Sequence, residues 1–439
     1  MTSRRPNILF ILADDLGWGD VGFHGSQIAT PTLDTLAETG IELTQHYVCP
    51  MCTPTRASLL TGRYPGRFGA HATVPSNKPV LPNGYHTLAT VLRDAGYQTG
   101  LFGKWHLGSD AKFGPNQFGF DYSYGSLAGG VDPYNHHYKR GKWSRTWHRN
   151  GEPASEAGHV TDLIIEEAQA WLASRPADAP WFCYVPFTAV HVPVKAPPNW
   201  IARYDEQTYD DDPTRDESFK AYAGYTSHMD AGIATLLETL DAMDARDETL
   251  IIFASDNGAI PNCDISGVAD YPGDQQGMPL LGSNAPFRGQ KAQMYEGGIR
   301  TPTIVNWTGT LDAGQIDHPV AITDWMPTLL ALADATLSVD PMWDGDDIWS
   351  LITADRTEPL DRELYWNFHA NQFALRAGEW KLIARGEVLT PASCELYDLE
   401  TDPYETRDLA SDEPDRVQDM LARLETHRAM DYTTVRPDV

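Results

Sequence analysis

Short, continuous apolar runs recur along the chain, and polar side chains follow closely behind them. A run of this kind, without polar alternation, is typical of a strand buried on both faces of a parallel sheet. The carboxyl ends of such strands share one edge, where open α/β sheets bind their ligands. The runs cover residues 6–13, 97–102, 181–187, 249–254 and 299–307. They predict one large sheet with a polar site along one edge.

Helical patterns alternate with these strands at residues 31–40, 87–95, 160–174 and 222–242. The alternation predicts an α/β fold with a mixed, mostly parallel sheet and helices on both of its faces. After about residue 350 the pattern changes to four short strands, at residues 363–366, 373–376, 379–384 and 395–398, and then a terminal helix at 413–430. We therefore expect a large α/β domain over residues 1–350 and a small C-terminal α+β subdomain over residues 351–439.

The overall charge is strongly negative, because 33 lysines and arginines face 61 aspartates and glutamates, a net charge of −28. General nucleic-acid binding requires a basic face, so that class of partner is not expected. An anionic substrate would also be repelled at long range. A site for such a substrate must therefore carry its own local positive charge.

The cysteines, at positions 49, 52, 183, 263 and 394, have neither zinc-site nor redox spacing. The first apolar run is too short for a signal peptide or a membrane span, and it ends in two aspartates. We expect no membrane association. The chain is expected to be either cytoplasmic or the mature form of a periplasmic or secreted protein.

One cysteine, Cys52, begins a distinctive stretch that runs to Arg63. Thr53 is suited to cap a helix, Pro54 to occupy its first position and Gly62 to end it. Cys52 is then expected just before a helix N-terminus, a position that favours an anion. The alternative is a buried structural cysteine, since free cysteines are among the most buried residues.

Oxygen ligands follow two of the predicted strands. Asp14 and Asp15 come after the first run, and Asp256 and Asn257 after the fourth. Carboxylates with a carboxamide suit Ca²⁺ or Mg²⁺ rather than zinc. Three carboxylates converging without a cation would repel one another strongly. The alternative for Asp14 and Asp15 is a solvated acidic loop.

Cys-x-Pro-x-Arg followed by Leu-Leu-Thr-Gly-Arg resembles the signature of type I sulfatases. Further motifs match over nearly the whole chain, at residues 14–20, 103–108, 190–193, 255–258, 286–302 and 396–405. The resemblance implies an alkaline-phosphatase-like fold for the large domain. The segments at 22–26 and 222–224 are most similar to the N-acetylgalactosamine-4-sulfatase (arylsulfatase B) branch.

The resemblance implies that a formylglycine-generating enzyme oxidises Cys52 to formylglycine, whose hydrate is a gem-diol. It implies that Ca²⁺, or Mg²⁺, is held by Asp14, Asp15, the modified Cys52, Asp256 and Asn257. The implied catalytic residues are Cys52, Arg56, Lys104, His106, His191 and Lys291. Lys104, His191, Lys291 and Arg300 are implied to bind substrate. Each lone histidine or lysine would otherwise be assigned to the surface or to a satisfied core position.

The same resemblance implies a mechanism. The metal polarises one hydroxyl of the gem-diol, which attacks sulfur and expels the alcohol. His191 or Lys291 protonates the leaving oxygen, and His106 takes the proton of the second hydroxyl, so that the aldehyde reforms. A serine or cysteine ester lacks that second hydroxyl, which is the physical reason for the modification.

A basic segment at residues 139–149 contains five lysines or arginines and no acidic residue. Its aromatic neighbours are suited to stack on sugars and its cations to meet further sulfates or carboxylates. We therefore expect His136, Lys142, Trp143 and Arg145 to bind substrate. The alternative is a solvated loop balanced by acidic neighbours.

The interpretation of the whole sequence is a hydrolase of sulfate monoesters that acts on a sulfated carbohydrate and accepts aryl sulfates. One alternative is a phosphonate monoester or phosphodiester hydrolase of the same superfamily. The other is a non-catalytic binder of anions or glycans, which an unmodified Cys52 would favour.

Overall fold

The computed structural model describes residues 5–138, 141–176, 178–261, 282–337 and 342–431. The strands are β1 (Asn7–Ala13), β2 (Ile41–Leu43), β3 (His46–Tyr47), β4 (Gln98–Lys104), β5 (Tyr122–Ser126), β6 (Trp147–Arg149), β7 (Glu152–Pro153), β8 (Trp181–Pro186), β9 (Thr249–Ser255), β10 (Ile304–Asn306), β11 (Gly314–Ile316), β12 (Val320–Ala321), β13 (Glu363–Phe368), β14 (Gln372–Ala377), β15 (Trp380–Arg385) and β16 (Cys394–Asp398). The helices are α1 (Pro31–Thr39), α2 (Cys52–Thr61), α3 (Leu88–Asp94), α4 (Val160–Ala173), α5 (Pro198–Ile201), α6 (Pro213–Ala242), α7 (Glu296–Ile299), α8 (Trp325–Leu332), α9 (Trp349–Ile352) and α10 (Pro414–Ala429).

One large sheet has the order β11-β2-β10-β9-β1-β8-β4-β5-β6-β7. Its central strands, from β9 to β5, are all parallel, and β10, β6 and β7 pair antiparallel towards the edges. The parallel centre places the carboxyl ends of β9, β1, β8 and β4 side by side. This is the mixed, mostly parallel sheet that the sequence predicts.

Two hydrophobic cores lie against the two faces of the sheet. Along β1, Phe10 packs into one core and Ile11 into the other, and all of β1 from Ile8 onwards is buried. One core contains residues of α2, α3 and α8, and the opposite core contains residues of α1, α4 and α6. Among the described residues, none of the helices has the length and apolar character needed to cross a bilayer.

The C-terminal part forms a separate antiparallel sheet, β13-β14-β15-β16, against which α10 packs through Val417, Met420 and Leu424. The predicted fold class is confirmed for both parts of the chain. The division at residue 350 stays a prediction.

Two predicted elements differ from the structure. The strand predicted at 299–307 shrinks to β10, since residues up to Ile299 belong to the short helix α7. The helix predicted to start at Tyr222 begins instead at Pro213, because the side chain of Asp212 accepts hydrogen bonds from the backbone of Thr214 and Arg215.

Candidate active site

Helix α2 positions Cys52. The helix begins at Cys52 itself, after an extended Met51, and ends at Gly62, whose left-handed φ of 67° closes the last turn. The observed N-cap is Met51, so the predicted helix start, with Cys52 before the helix and Thr53 as its cap, was wrong by two residues. Thr53 instead donates its hydroxyl to the carbonyl of His106, 3.2 Å away. Cys52 is fully buried, which constrains the chemistry it can perform.

The parallel pairing of β1 with β9 brings the oxygen ligands together. Ala13 lies opposite Ser255 in the sheet, so that Asp14 and Asp15 leave β1 beside Asp256 and Asn257. The amide nitrogen of Asn257 donates to Oδ1 of Asp15 at 2.8 Å, and the backbone N–H of Asp15 donates to Oδ1 of Asp256 at 3.2 Å. The predicted convergence of strand ends is present.

Three buried cations neutralise these carboxylates. Lys104 Nζ lies 2.6 Å from Asp14 Oδ2, and Lys291 Nζ lies 2.5 Å from Asp15 Oδ1. Arg56 donates to Asp256 Oδ2 from both Nε and Nη2, at 3.1 and 2.8 Å. Paired charges of this kind are the form in which ionised groups are tolerated inside a protein. In this acidic chain the site thus sets one buried cation against each of its three carboxylates.

Several oxygens in the same cluster have no hydrogen-bond partner among the described residues, although they are buried: Asp14 Oδ1, Asp15 Oδ2 and Asn257 Oδ1. Ligand atoms of Asp14, Asp15, Cys52 and His191 all lie within 4.8 Å of one another. Buried oxygens without donors are costly, and a hard cation is a partner that would satisfy them. The residues present therefore fit a Ca²⁺ or Mg²⁺ ion. The carboxylate of Asp256 is less available to bind a cation, because both of its oxygens already accept hydrogen bonds.

The crowding shifts ionisation in the cluster. Burial, together with the nearby Asp256 carboxylate, raises the pKa of Asp14 to about 8. Burial also opposes the charge of Asp15, but the Lys291 ammonium outweighs it and holds the pKa of that carboxyl well below its usual range. Burial raises the pKa of the Cys52 thiol to about 11, so the unmodified thiol stays protonated near neutral pH and is a poor nucleophile.

Both predicted catalytic histidines line the cluster as neutral rings. His191 donates from Nδ1 to the carbonyl of Val192 at 2.6 Å, which leaves Nε2 towards Asp15 Oδ2, 3.8 Å away. Burial lowers the pKa of both rings well below the ordinary value, and Lys104 lowers that of His106 further. His106 and Asp15 also have left-handed backbones, with φ of 58° and 64°. Such non-glycine conformations concentrate at functional sites.

Some of the predicted substrate-binding residues make their contacts outside the cluster around Cys52. Arg300 donates from Nε to the carbonyl of Thr44 at 2.7 Å and lies over the rings of Trp18 and Phe287, so its binding role stays a prediction. His136 stacks on Trp147, and the Lys142 ammonium lies 4.4 Å from the centre of the Trp143 ring. Lys139 and Arg140 of the basic segment lie outside the described residues. The same holds for Cys263, which belongs to another part of the chain.

Sequence reasoning missed Tyr138, which stands at the edge of the cluster. Its pKa is raised by burial, and the charges that act on its hydroxyl include Lys104, Cys52 and Lys291. A side-chain hydrogen bond from Asn77 holds that hydroxyl. No sequence motif marks Tyr138, because its place depends on how the loop after β5 folds back.

The C-terminal sheet anchors the segment that carries Lys291. Lys381 on β15 lies 2.8 Å from both Glu296 Oε1 and Glu405 Oε1, and all three side chains are buried. Glu405 also accepts the backbone N–H of Glu296 at 2.7 Å. Arg288 Nη1 donates to the carbonyl of Glu405 at 2.8 Å. Residues on both sides of Lys291 are therefore tied to the C-terminal part.

Comparison with known proteins identifies the family. A family model described as "Sulfatase" matches residues 6–335. The chain belongs to the sulfatase family. A second model, "N-sulphoglucosamine sulphohydrolase, C-terminal", matches residues 289–430 of this sulfatase.

Individual relatives agree with this assignment. Arylsulfatase J of Mus musculus is 32% identical, over 96% of this chain and 75% of its own. N-acetylgalactosamine-6-sulfatase of Homo sapiens is 31% identical, over 86% of this chain and 71% of its own. The crystal structure of Ps i-CgsB in complex with k-i-k-neocarrahexaose superposes with a TM-score of 0.85, at 29% identity over 99% of this chain and 95% of that one. The assignment of this sulfatase to the 4-sulfatase branch stays a prediction.

A glycine tests how tightly His106 is held in this sulfatase. A Cβ added to Gly129 would lie 2.2 Å from Nε2 of His106, so Gly129→Ala must displace that ring. We expect kcat to fall about 10²-fold, the usual effect of a catalytic group displaced by an ångström. The fold should persist, and a thermal melt together with kcat for an aryl sulfate would measure both.

The matched control is Gly314→Ala in β11, where an added Cβ meets nothing within 4 Å. It should leave kcat unchanged. Equal kcat values for Gly129→Ala and the control would mean that the position of the His106 ring is unimportant for turnover.

Proposed function

We propose that this sulfatase hydrolyses sulfate monoesters of a sulfated carbohydrate, with a formylglycine derived from Cys52 and a divalent cation. The observation that supports this most is the convergence of Asp14, Asp15, Cys52 and His191, whose ligand atoms lie within 4.8 Å of one another. The names of the relatives support the glycan substrate, since one acts on N-acetylgalactosamine and one structure holds a neocarrahexaose.

Five residues of the cluster are proposed to hold the cation, and one of them is proposed to carry the formylglycine. The cation would be held by Asp14, Asp15, the modified Cys52, Asp256 and Asn257, and when bound it supplies positive charge to the sulfate oxygens. Formylglycine, once hydrated at Cys52, supplies a hydroxyl nucleophile and a second hydroxyl for release of sulfate. The maturation enzyme that forms it would be a further partner.

The chain's own residues perform the remaining tasks. Lys104 and Lys291 are held as cations by Asp14 and Asp15, and they are placed to bind and neutralise sulfate oxygens. Arg56 is fully buried and donates to one oxygen of Asp256, Oδ2, from two nitrogens, which helps to hold this carboxylate in place.

Proton transfer falls to Lys291 and the two histidines. Although burial opposes its charge, the Asp15 carboxylate raises the pKa of Lys291, so the ammonium keeps a proton to give to the leaving oxygen. The neutral His191 ring has its proton on Nδ1, so it becomes the other candidate donor only once Nε2 takes up a second proton. The neutral His106 ring, whose Nδ1 has no hydrogen-bond partner among the described residues, is suited to accept a proton.

The second candidate function is a phosphonate monoester or phosphodiester hydrolase, which uses the same kinds of ligands. To separate the two, kcat/KM is measured for 4-nitrophenyl sulfate and for bis(4-nitrophenyl) phosphate, and sulfate release from carrageenan and chondroitin sulfate hexasaccharides is followed. We expect sulfate esters to be preferred by at least about tenfold, which corresponds to 1.4 kcal/mol of differential transition-state binding. A preference for the phosphodiester would contradict the proposal.

The mass of the peptide that contains Cys52 is the accompanying control. A mass that corresponds to the aldehyde is expected in the active protein. A thiol at full occupancy, with no turnover of any substrate, would instead support a non-catalytic binder.

Chelation should abolish turnover, and Ca²⁺ or Mg²⁺ should restore it better than Zn²⁺ because the ligands are oxygens.

A further inference from the structure

We infer that a pocket beside the active site binds a second anionic group of the same substrate, on a sugar next to the one that loses sulfate. The inference rests on the proposed function and adds a requirement for an extended, multiply charged glycan. The pocket has a volume of about 220 Å³. Its lining residues include His136, Arg145 and Trp147.

The pocket opens at the same edge of the sheet as the nucleophile. Lys104, the last residue of β4, pairs with Ser126, the last residue of β5. Ser126 in turn pairs with Trp147, the first residue of β6. Since neighbouring strands are about 4.8 Å apart, the backbone of Trp147 lies roughly 10 Å from that of Lys104. One substrate chain can therefore reach both sites.

The walls of the pocket suit a charged sugar. The buried His136 ring stacks on Trp147 with centroids 5.0 Å apart, and its Nε2 lies 3.0 Å from the carbonyl of Gly158, which fixes it. The indole and imidazole supply rigid, amphipathic surfaces of the kind that pack on sugar rings. The guanidinium of Arg145 supplies a planar set of donors for a sulfate or a carboxylate.

Arg145 is distinguished from its basic neighbours by what surrounds it. It is exposed, and within the described ranges no carboxylate pairs with it, whereas Arg149 pairs with Glu156 and Glu167 at 2.9 and 2.7 Å. Lys142 lies over Trp143 and does not line the pocket. Of the four residues predicted to bind substrate in and beside this segment, His136 and Arg145 therefore line the pocket, and Lys142 and Trp143 do not.

Tyr138 connects the pocket to the nucleophile. Its backbone N–H donates to the carbonyl of Ser144 at 2.8 Å, which holds it on the loop that carries Arg145. Its ring and His191 both approach Gly130, with Cε2 of Tyr138 and Cε1 of His191 at 3.1 and 3.4 Å from an added Cβ. A sugar that spans the two sites would cross the Tyr138 ring.

The experiment compares Arg145→Gln with Lys142→Gln, a change of the same charge on the same loop. For each variant, kcat and KM are measured with 4-nitrophenyl sulfate and with the hexasaccharide that the wild type desulfates fastest, at low and high salt. For Arg145→Gln we expect KM for the hexasaccharide to rise roughly three- to tenfold with kcat unchanged, since a contact remote from the ester contributes to binding alone. The rise should shrink at high salt.

Lys142→Gln should keep kcat and KM for both substrates within about twofold of the wild-type values. Neither variant should change the turnover of the aryl sulfate. Equal effects of the two variants, or no effect of Arg145→Gln on the hexasaccharide, would overturn the pocket, whereas turnover of the hexasaccharide by the wild type would still uphold the proposed function. A wild-type protein that turns over the aryl sulfate but no hexasaccharide would overturn the glycan substrate and the pocket together.

Discussion

Replacement of Cys52 by serine is expected to reduce multiple turnover by at least roughly 10³-fold and to leave the fold intact. Loss of a nucleophile typically leaves only binding and charge stabilisation. Serine offers a single hydroxyl, so sulfate bound to it can leave only by attack of water. Cys52 is buried inside α2, where every residue is buried, so water has little access to that bond.

Steady-state kcat and a search for a burst in the first turnover would measure this effect. The matched control is Cys49→Ser, since Cys49 is also buried and its sulfur lies 3.6 Å from the hydroxyl of Ser58. That variant should retain kcat. Wild-type turnover in Cys52→Ser, with no loss relative to the control, would contradict the assigned nucleophile.

Replacement of Lys381 by methionine is expected to lower the free energy of unfolding by about 3–5 kcal/mol, because it removes the cation that two buried carboxylates share. Both Glu296 and Glu405 lie 2.8 Å from Lys381, and none of the three side chains is exposed. Burial already raises the pKa of Glu405 to about 7, which shows how little additional negative charge this place tolerates. Denaturant unfolding of both proteins would measure the difference.

The matched control is Arg407→Met, which removes an exposed pair with Asp412 at 2.7 Å and should cost less than about 1 kcal/mol. The difference between Lys381→Met and wild type should also shrink as pH falls, since Glu296 and Glu405 then take up protons and lose their charge. A loss for Lys381→Met no larger than that of the control, at neutral pH, would contradict this account.

The residues at strand ends were predictable from sequence, because chemistry and fold use the same positions. The carboxyl end of a buried apolar strand such as β1 lies at the edge of the sheet where ligands bind. Asp14 and Asp15 directly follow that end. The pairing of β1 with β9 then brings Asp256 beside them. Cys52 was identified by its own motif, independently of the sheet.

The contacts that support the site were not predictable in the same way. Tyr138, Lys381 and Glu405 carry no motif, and each acts through a partner far away in sequence, such as Glu296, 85 residues before Lys381. The short strands β2 and β11 have three residues each, too few to show a period. Tertiary packing decides which loop folds over the end of each strand. A single sequence contains no pattern that reveals this packing.

The strands β1, β4, β8 and β9 lie side by side in the sheet although they are far apart in the sequence. This separation affects the rate of folding. The pair formed by Lys291 and Asp15 is separated by 276 residues, and that formed by Arg56 and Asp256 by 200. Contacts between distant residues form slowly, because the chain must first lose the entropy of the intervening loop. After dilution from denaturant, recovery of turnover should therefore lag behind recovery of helical circular dichroism, so that turnover reports the last step of folding.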